Sequence, residues 1–143
     1  MMKRVLVPLD DAGATEDILP LLGMLAGAGA AVRLIHVAPV PDNLVDQHGR
    51  AITYADQEMA RIEGLWSVSL RDTAARLDGD VDHTVRFGDP ASQILEEAEA
   101  FGADTIVVTT GTRSALKRTL LGSVAEAMLG RARIGVLMYR PPG

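Results

Sequence analysis

The chain contains no cysteine. That excludes disulfide bonds, thiolate nucleophiles and cysteine-ligated zinc, and with them several enzyme classes. No apolar run approaches the roughly 20 residues that span a bilayer. The longest candidate, Leu19 to Ala31, is interrupted by three glycines, so no membrane association is expected. An excess of positive charge is also missing. The formal net charge is −5 at pH 7, which speaks against a general nucleic-acid binder, because such proteins present a basic face. Repeats, low-complexity tracts and linkers are absent from the sequence, and His36, His48 and His83 have no metal-ligand spacing, so no metal site is predicted.

What is present is the composition of a folded domain. Apolar residues make up 48% of the 143 positions and charged residues 23%, enough to build one core without staples, which predicts one domain over 1–143. The opening MMKRVLVPLD carries a basic pair, but its apolar stretch is too short for a signal peptide and no cleavage site follows. Read as a first strand, it predicts a cytoplasmic protein.

Strand-like and helix-like runs alternate along the chain, the pattern of an α/β fold with helices on both faces of a parallel sheet. Arg4 to Leu9 reads as a buried strand, Ala31 to Val37 as a second and Thr105 to Val108 as a fourth. Val81 to Phe87 alternates apolar and polar residues, as an edge strand does, and Ile134 to Tyr139 supplies a fifth strand. Between them, Asp17 is placed to cap a helix from Ile18 with Pro20 in its first turn. Met59, Ile62, Trp66, Leu70 and Leu77 mark a helix of about six turns. Asp89 and Pro90 open a helix closed by Gly102, on which Glu96, Glu97 and Glu99 read as a solvated face. Leu120 to Gly130 supplies the last helix. The polar stretch Pro39 to Thr53 is long enough to be a lid or to be disordered. Right-handed crossovers leave two strand orders, 2-1-3-4-5 and 3-2-1-4-5, and the second is favoured because it puts the alternating strand at one edge.

Ligands of open sheets bind where the strand order reverses, here between strands one and four. The loops meeting there follow Leu9, with Asp10 and Asp11, and Val108, with TTGTRSALKRTLLGS from Thr109 to Ser123. The second loop joins a strand to a helix start through small residues, the setting in which backbone N–H groups hold anions. It also carries the main basic cluster, Arg113, Lys117 and Arg118, which is either an anion site or a solvated helix start. Its glycines equally suit a plain chain turn. Ser114 and Lys117 show the S-x-x-K spacing of some serine nucleophiles, but the companion motifs are missing, so no catalytic residue is predicted.

VPLD around Pro8 to Asp10, IHVAP at residues 35–39, GDPASQILEEAEAFGADTIVV from Gly88 and LLGSVAEAML from Leu120 resemble the universal stress protein family, in order and over essentially the whole chain. The resemblance implies the favoured strand order, a homodimer through the C-terminal strands and, in one subgroup, an ATP site. It carries Pro8, Asp10, Val37 and Val108 onto positions lining the base and ribose. The phosphate motif of that subgroup is Gly, two residues, Gly, nine residues, Gly, then Ser or Thr. Here it ends intact at Gly122 and Ser123, beside Val124, while Thr109 and Thr112 stand where the first two glycines belong. A β-branched residue opposes the positive φ that glycine permits, although a threonine hydroxyl can donate to a phosphate oxygen. Asp10 is placed to bond base or ribose, or to cap its own loop; Ser123 is placed to cap the last helix, to bind phosphate, or both.

The resulting expectation is a stress-response module that binds ATP or another adenine nucleotide without efficient turnover. The alternative is a dimer of the same fold that binds no nucleotide and works as a protein-interaction module for a partner the sequence does not name. In either case Val136 to Tyr139 is expected to pair across a twofold axis, since an uncovered apolar edge invites pairing.

Overall fold

A computed structural model describes residues 2–10, 12–42, 44–45, 47–109 and 124–140. Five parallel strands form the sheet: β1 (Arg4–Pro8), β2 (Ala31–Ala38), β5 (Val81–Phe87), β6 (Thr105–Thr109) and β7 (Gly135–Tyr139). Their order is β5-β2-β1-β6-β7, which is 3-2-1-4-5 when the sheet strands are counted along the chain. Both edges fall where the sequence puts them, and the order reverses between β1 and β6.

Side-chain alternation along the strands divides the core into two clusters. Val5, Val7 and Leu9 of the first strand and its extension, Val32 and Leu34 of β2, and Val107 of β6 face one side, against Ile18, Leu22 and Ala26 of α1 (Ala12–Gly27) and Leu70 of α2 (Ala55–Ala75). Leu6, Ile35, Ile106 and Val108 face the other, against Ala91, Ile94, Ala98 and Phe101 of α3 (Pro90–Phe101) and Ala125 and Met128 of α4, helical over 124–129. The central strands are therefore buried on both faces, which is why they read as continuous apolar runs.

Helix α3 follows its sequence signals closely. The Asp89 carboxylate accepts a hydrogen bond from the Ser92 N–H at 2.9 Å, Pro90 occupies the first turn, and Gly102 ends the helix at φ 71°, in the left-handed region.

Three expectations are corrected. Helix α1 begins at Ala12, so Asp17 is not its cap and Pro20 lies inside it. The segment before Ile18 looks polar, but its alanines and Glu16 are compatible with a helix. Pro20 is exposed, so water can satisfy the Glu16 carbonyl that the missing N–H leaves open. The stretch Pro39 to Thr53 contains two short antiparallel strands, β3 (Leu44–Val45) and β4 (Ala51–Thr53), with Gly49 at φ 81° in the turn between them. Each is too short to show a periodicity.

The third correction concerns Glu97, which is 6% exposed rather than solvated. Its Oε2 accepts from Arg33 Nη1 of β2 and its Oε1 from Arg86 Nε of β5, both at 2.8 Å. Arg33 is also held by both Asp82 oxygens at 2.9 Å, and Arg86 reaches Gln93 and Glu96. The Asp82 carboxylate, ahead of Glu97, pushes the Arg33 pKa up. The Phe101 ring carries the Arg4 and Arg33 guanidiniums 4.2 and 4.3 Å from its centroid. This network fastens α3 across the sheet edge. Among the described residues no helix is long and apolar enough to cross a membrane.

Candidate functional site

At the C-terminal ends of β1 and β2 the chain leaves a cavity of about 60 Å³, lined by Pro8, Leu9, Asp10, Ile35, His36, Val37, Pro90, Ile94 and Val124. Alternation explains its composition. Pro8 and Asp10 continue the Leu6 face of β1, and Ile35 and Val37 share that face on β2, so all four point toward α3 and α4. From above, the first turn of α3 contributes Pro90, and Ile94 follows one turn later. The wall is apolar apart from the half-buried Asp10 and the contribution of His36.

His36 ties the site together from the opposite face. Its Nδ1 lies 2.8 Å from the Leu9 carbonyl oxygen. A carbonyl only accepts, so Nδ1 carries the proton. The imidazole stacks on Trp66 of α2, with 3.5 Å between centroids and 11° between planes. The Gly88 N–H donates to the Ala38 carbonyl at 2.9 Å, joining the ends of β2 and β5 beneath the start of α3. That helix start is already occupied by Asp89, whose carboxyl the Ser92 N–H holds below its ordinary range.

The predicted residues separate into three groups. Pro8, Asp10, Val37 and Val124 come together on the cavity wall. Val108 is fully buried in the core beside α3, and Thr109 is fully buried one residue later, on the alternate face; neither lines the cavity. The Thr109 hydroxyl has no hydrogen-bond partner among the described residues. Thr112, Gly122 and Ser123 lie outside the described residues. The sequence missed Leu9, Ile35, His36, Pro90 and Ile94 as wall residues. Ile94 sits on the inward stripe of a well-capped helix and His36 lies near the end of a strand next to Val37, so both carried a signal. Among the described residues no His, Asp or Glu cluster can hold a metal ion.

A family model, described as the universal stress protein family, matches residues 1–140. The chain belongs to the universal stress protein family. The stress response protein NhaX of Bacillus subtilis is 38% identical over 63 residues, covering 44% of this chain and 37% of that protein. Universal stress protein MJ0531 of Methanocaldococcus jannaschii is 46% identical over 55 residues, 38% of this chain and 32% of that one. These two matches therefore span only about a third of the relatives' own length. A universal stress protein of Methanothermobacter thermautotrophicus aligns end to end, 28% identical over 98% of this chain and 97% of its own.

Among solved structures, a universal stress protein in complex with cAMP superposes with a TM-score of 0.67 at 20% identity, covering 99% of both chains. The universal stress protein from Archaeoglobus fulgidus in complex with dAMP superposes with 0.58 at 16% identity, covering 95% of this chain and 96% of its own. At such identities the likeness establishes the shared α/β fold of this family.

Proposed function

We propose that this universal stress protein binds an adenine nucleotide at the β1–β2 cavity and acts as a binding module in the stress response, without efficient turnover. The observation that carries the reading is the wall itself. Pro8, Ile35, Val37 and Ile94 offer apolar surface to a flat base, and Asp10 supplies a carboxylate at the rim to accept from a ribose hydroxyl or the exocyclic amine. Two proteins of the same fold are described in complex with cAMP and dAMP, and both of these ligands are adenine nucleotides with a single phosphate group.

About 60 Å³ is well below the roughly 300–1,000 Å³ of pockets that enclose a whole ligand. The base is therefore assigned to the cavity, with sugar and phosphate directed toward the loop from Thr109 to Ser123. Gly122 and Ser123 are the residues proposed for the phosphate, with Thr109 and Thr112 weakening the grip that glycines would give a triphosphate. Isothermal calorimetry with ATP, ADP and AMP tests this. Binding is expected below millimolar concentration, with AMP at least as tight as ATP, and Val37→Trp should fill the cavity and abolish it. Absence of heat with all three nucleotides would sink the reading.

A second assignment rests on β7. This edge strand pairs only with β6 among the described residues and leaves Leu137 and Met138 exposed, one on each face. We infer a homodimer formed by antiparallel pairing of β7 with its copy across a twofold axis. The same edge is the surface available if the chain serves as a protein-interaction module.

A further inference from the structure

We propose that His36 is the positioning residue of the cavity, setting the backbone that presents Asp10 and linking that corner to α2. For its ligand the inference rests on the nucleotide reading above; for its geometry it does not. Leu9 lies beyond the last ladder pair of β1 with β2, Pro8 opposite Ile35. Its N–H still donates to the Ile35 carbonyl at 2.8 Å, while its own carbonyl, on a residue 2% exposed, accepts from His36 Nδ1 at 2.8 Å. A side chain thus takes over where the ladder stops, and the chain can turn toward α1 without burying an unsatisfied carbonyl.

The imidazole has little freedom to leave. It is 9% exposed and stacked on Trp66, which belongs to the inner stripe of α2 with Leu70 and Thr73. Rotation would break the hydrogen bond and the stack together. Alternation puts His36 on the α2 side of β2, whereas Ile35 and Val37 face α3. It therefore acts from behind the wall, through Leu9, on the residue that follows.

Two variants separate the donor from the ring. In His36→Asn the amide nitrogen is as many bonds from Cα as Nδ1, so the donor is kept and the ring lost; His36→Phe keeps a ring and loses the donor. Calorimetric affinity for AMP and amide hydrogen exchange over Leu9 and Asp10 are measured on the full chain. His36→Phe is expected to weaken AMP binding about tenfold, the equivalent of one hydrogen bond, and to speed exchange at this corner but not in β5. His36→Asn is expected to stay within about threefold of the unaltered protein in both. Unchanged affinity and exchange in His36→Phe, or equal losses in the two variants, would overturn the assignment. If the unaltered protein binds no AMP, the nucleotide reading falls, and the exchange comparison alone decides the role of His36.

Discussion

Replacing Glu97 by glutamine tests how the site is held in place. The carboxylate is 8% exposed and each oxygen takes an N–H from a different guanidinium at 2.8 Å. Glutamine matches its shape but has one acceptor, so one arginine is satisfied and the other meets an N–H donor. A hydrogen bond to a charged group contributes about 1.5–3 kcal/mol. Arg33 retains Asp82, Arg86 retains Gln93 and Glu96, and both are about a quarter exposed, so water and the remaining partners recover part of the loss. The expected destabilisation is about 2 kcal/mol. With a urea m-value of about 2 kcal/mol/M, the midpoint should fall by about 1 M at neutral pH. The loss should persist at about 1 M salt, where screening acts over about 3 Å and exposed pairs fade. A midpoint within about 0.2 M of the unaltered protein, or a difference that vanishes in salt, would refute the buried network. Because Ile94 lies one turn before Glu97 on α3, the same variant should also loosen the cavity wall.

Other outcomes follow from the backbone, from the capped carboxylates and from the sheet edge. Gly79 sits at φ 123°, and a Cβ there would lie 2.9 Å from the Ala26 carbonyl oxygen; Gly79→Ala should cost about 2–4 kcal/mol and lower Tm by about 5–10 °C, and a Tm within about 2 °C would contradict this. The Ser92 N–H lowers the Asp89 pKa; burial raises that of Asp104, but the Arg4 and Lys3 N–H groups and the Thr105 hydroxyl outweigh it and leave it lowered. Both therefore add stability that is full above the unfolded carboxylate range near pH 4 and is lost as the pH falls through their lower native values. Asp89→Asn keeps a cap that does not titrate, so its stability should drop less than that of the unaltered protein between about pH 5 and pH 3 in urea titrations, and parallel losses would remove Asp89 from the account. Leu137→Lys on the exposed edge should convert a dimer to a monomer by light scattering, and an unchanged mass would place the interface elsewhere.

Local rules made most of the frame legible. Asp89 with Pro90 and the left-handed Gly102 bound α3 by chemistry within a few residues, and unbroken apolar runs announced the doubly covered strands. What stayed hidden depends on residues far apart. Glu97 is indistinguishable from Glu96 and Glu99 in sequence, and its burial is decided by Arg33, 64 positions away, and Arg86, 11 away. Helix α1 starts early because packing of Ile18, Leu22 and Ala26 carries the small-residue first turn from Ala12 to Thr15 with it, and a lone proline on the wet side is tolerated. At the site, Pro8, Asp10 and Val37 follow from strand ends and alternation, together with the family resemblance. Pro90 and Ile94 close the cavity only because the crossover brings α3 over β1 and β2. The role of His36 needed the Leu9 carbonyl and Trp66, which lie 27 and 30 positions away along the chain.

The account stands most directly on where a nucleotide sits. A titration of isotope-labelled protein with AMP, followed by amide NMR shifts, reads this residue by residue. Saturable shifts are predicted at Leu9, Asp10, Val37 and Ile94, while the amides of Gly102, Ala103, Arg131 and Arg133, which line a separate groove at the C-terminal end of α3, stay unmoved. No saturable shift at millimolar AMP, or shifts confined to that groove, would contradict the assignment of the cavity.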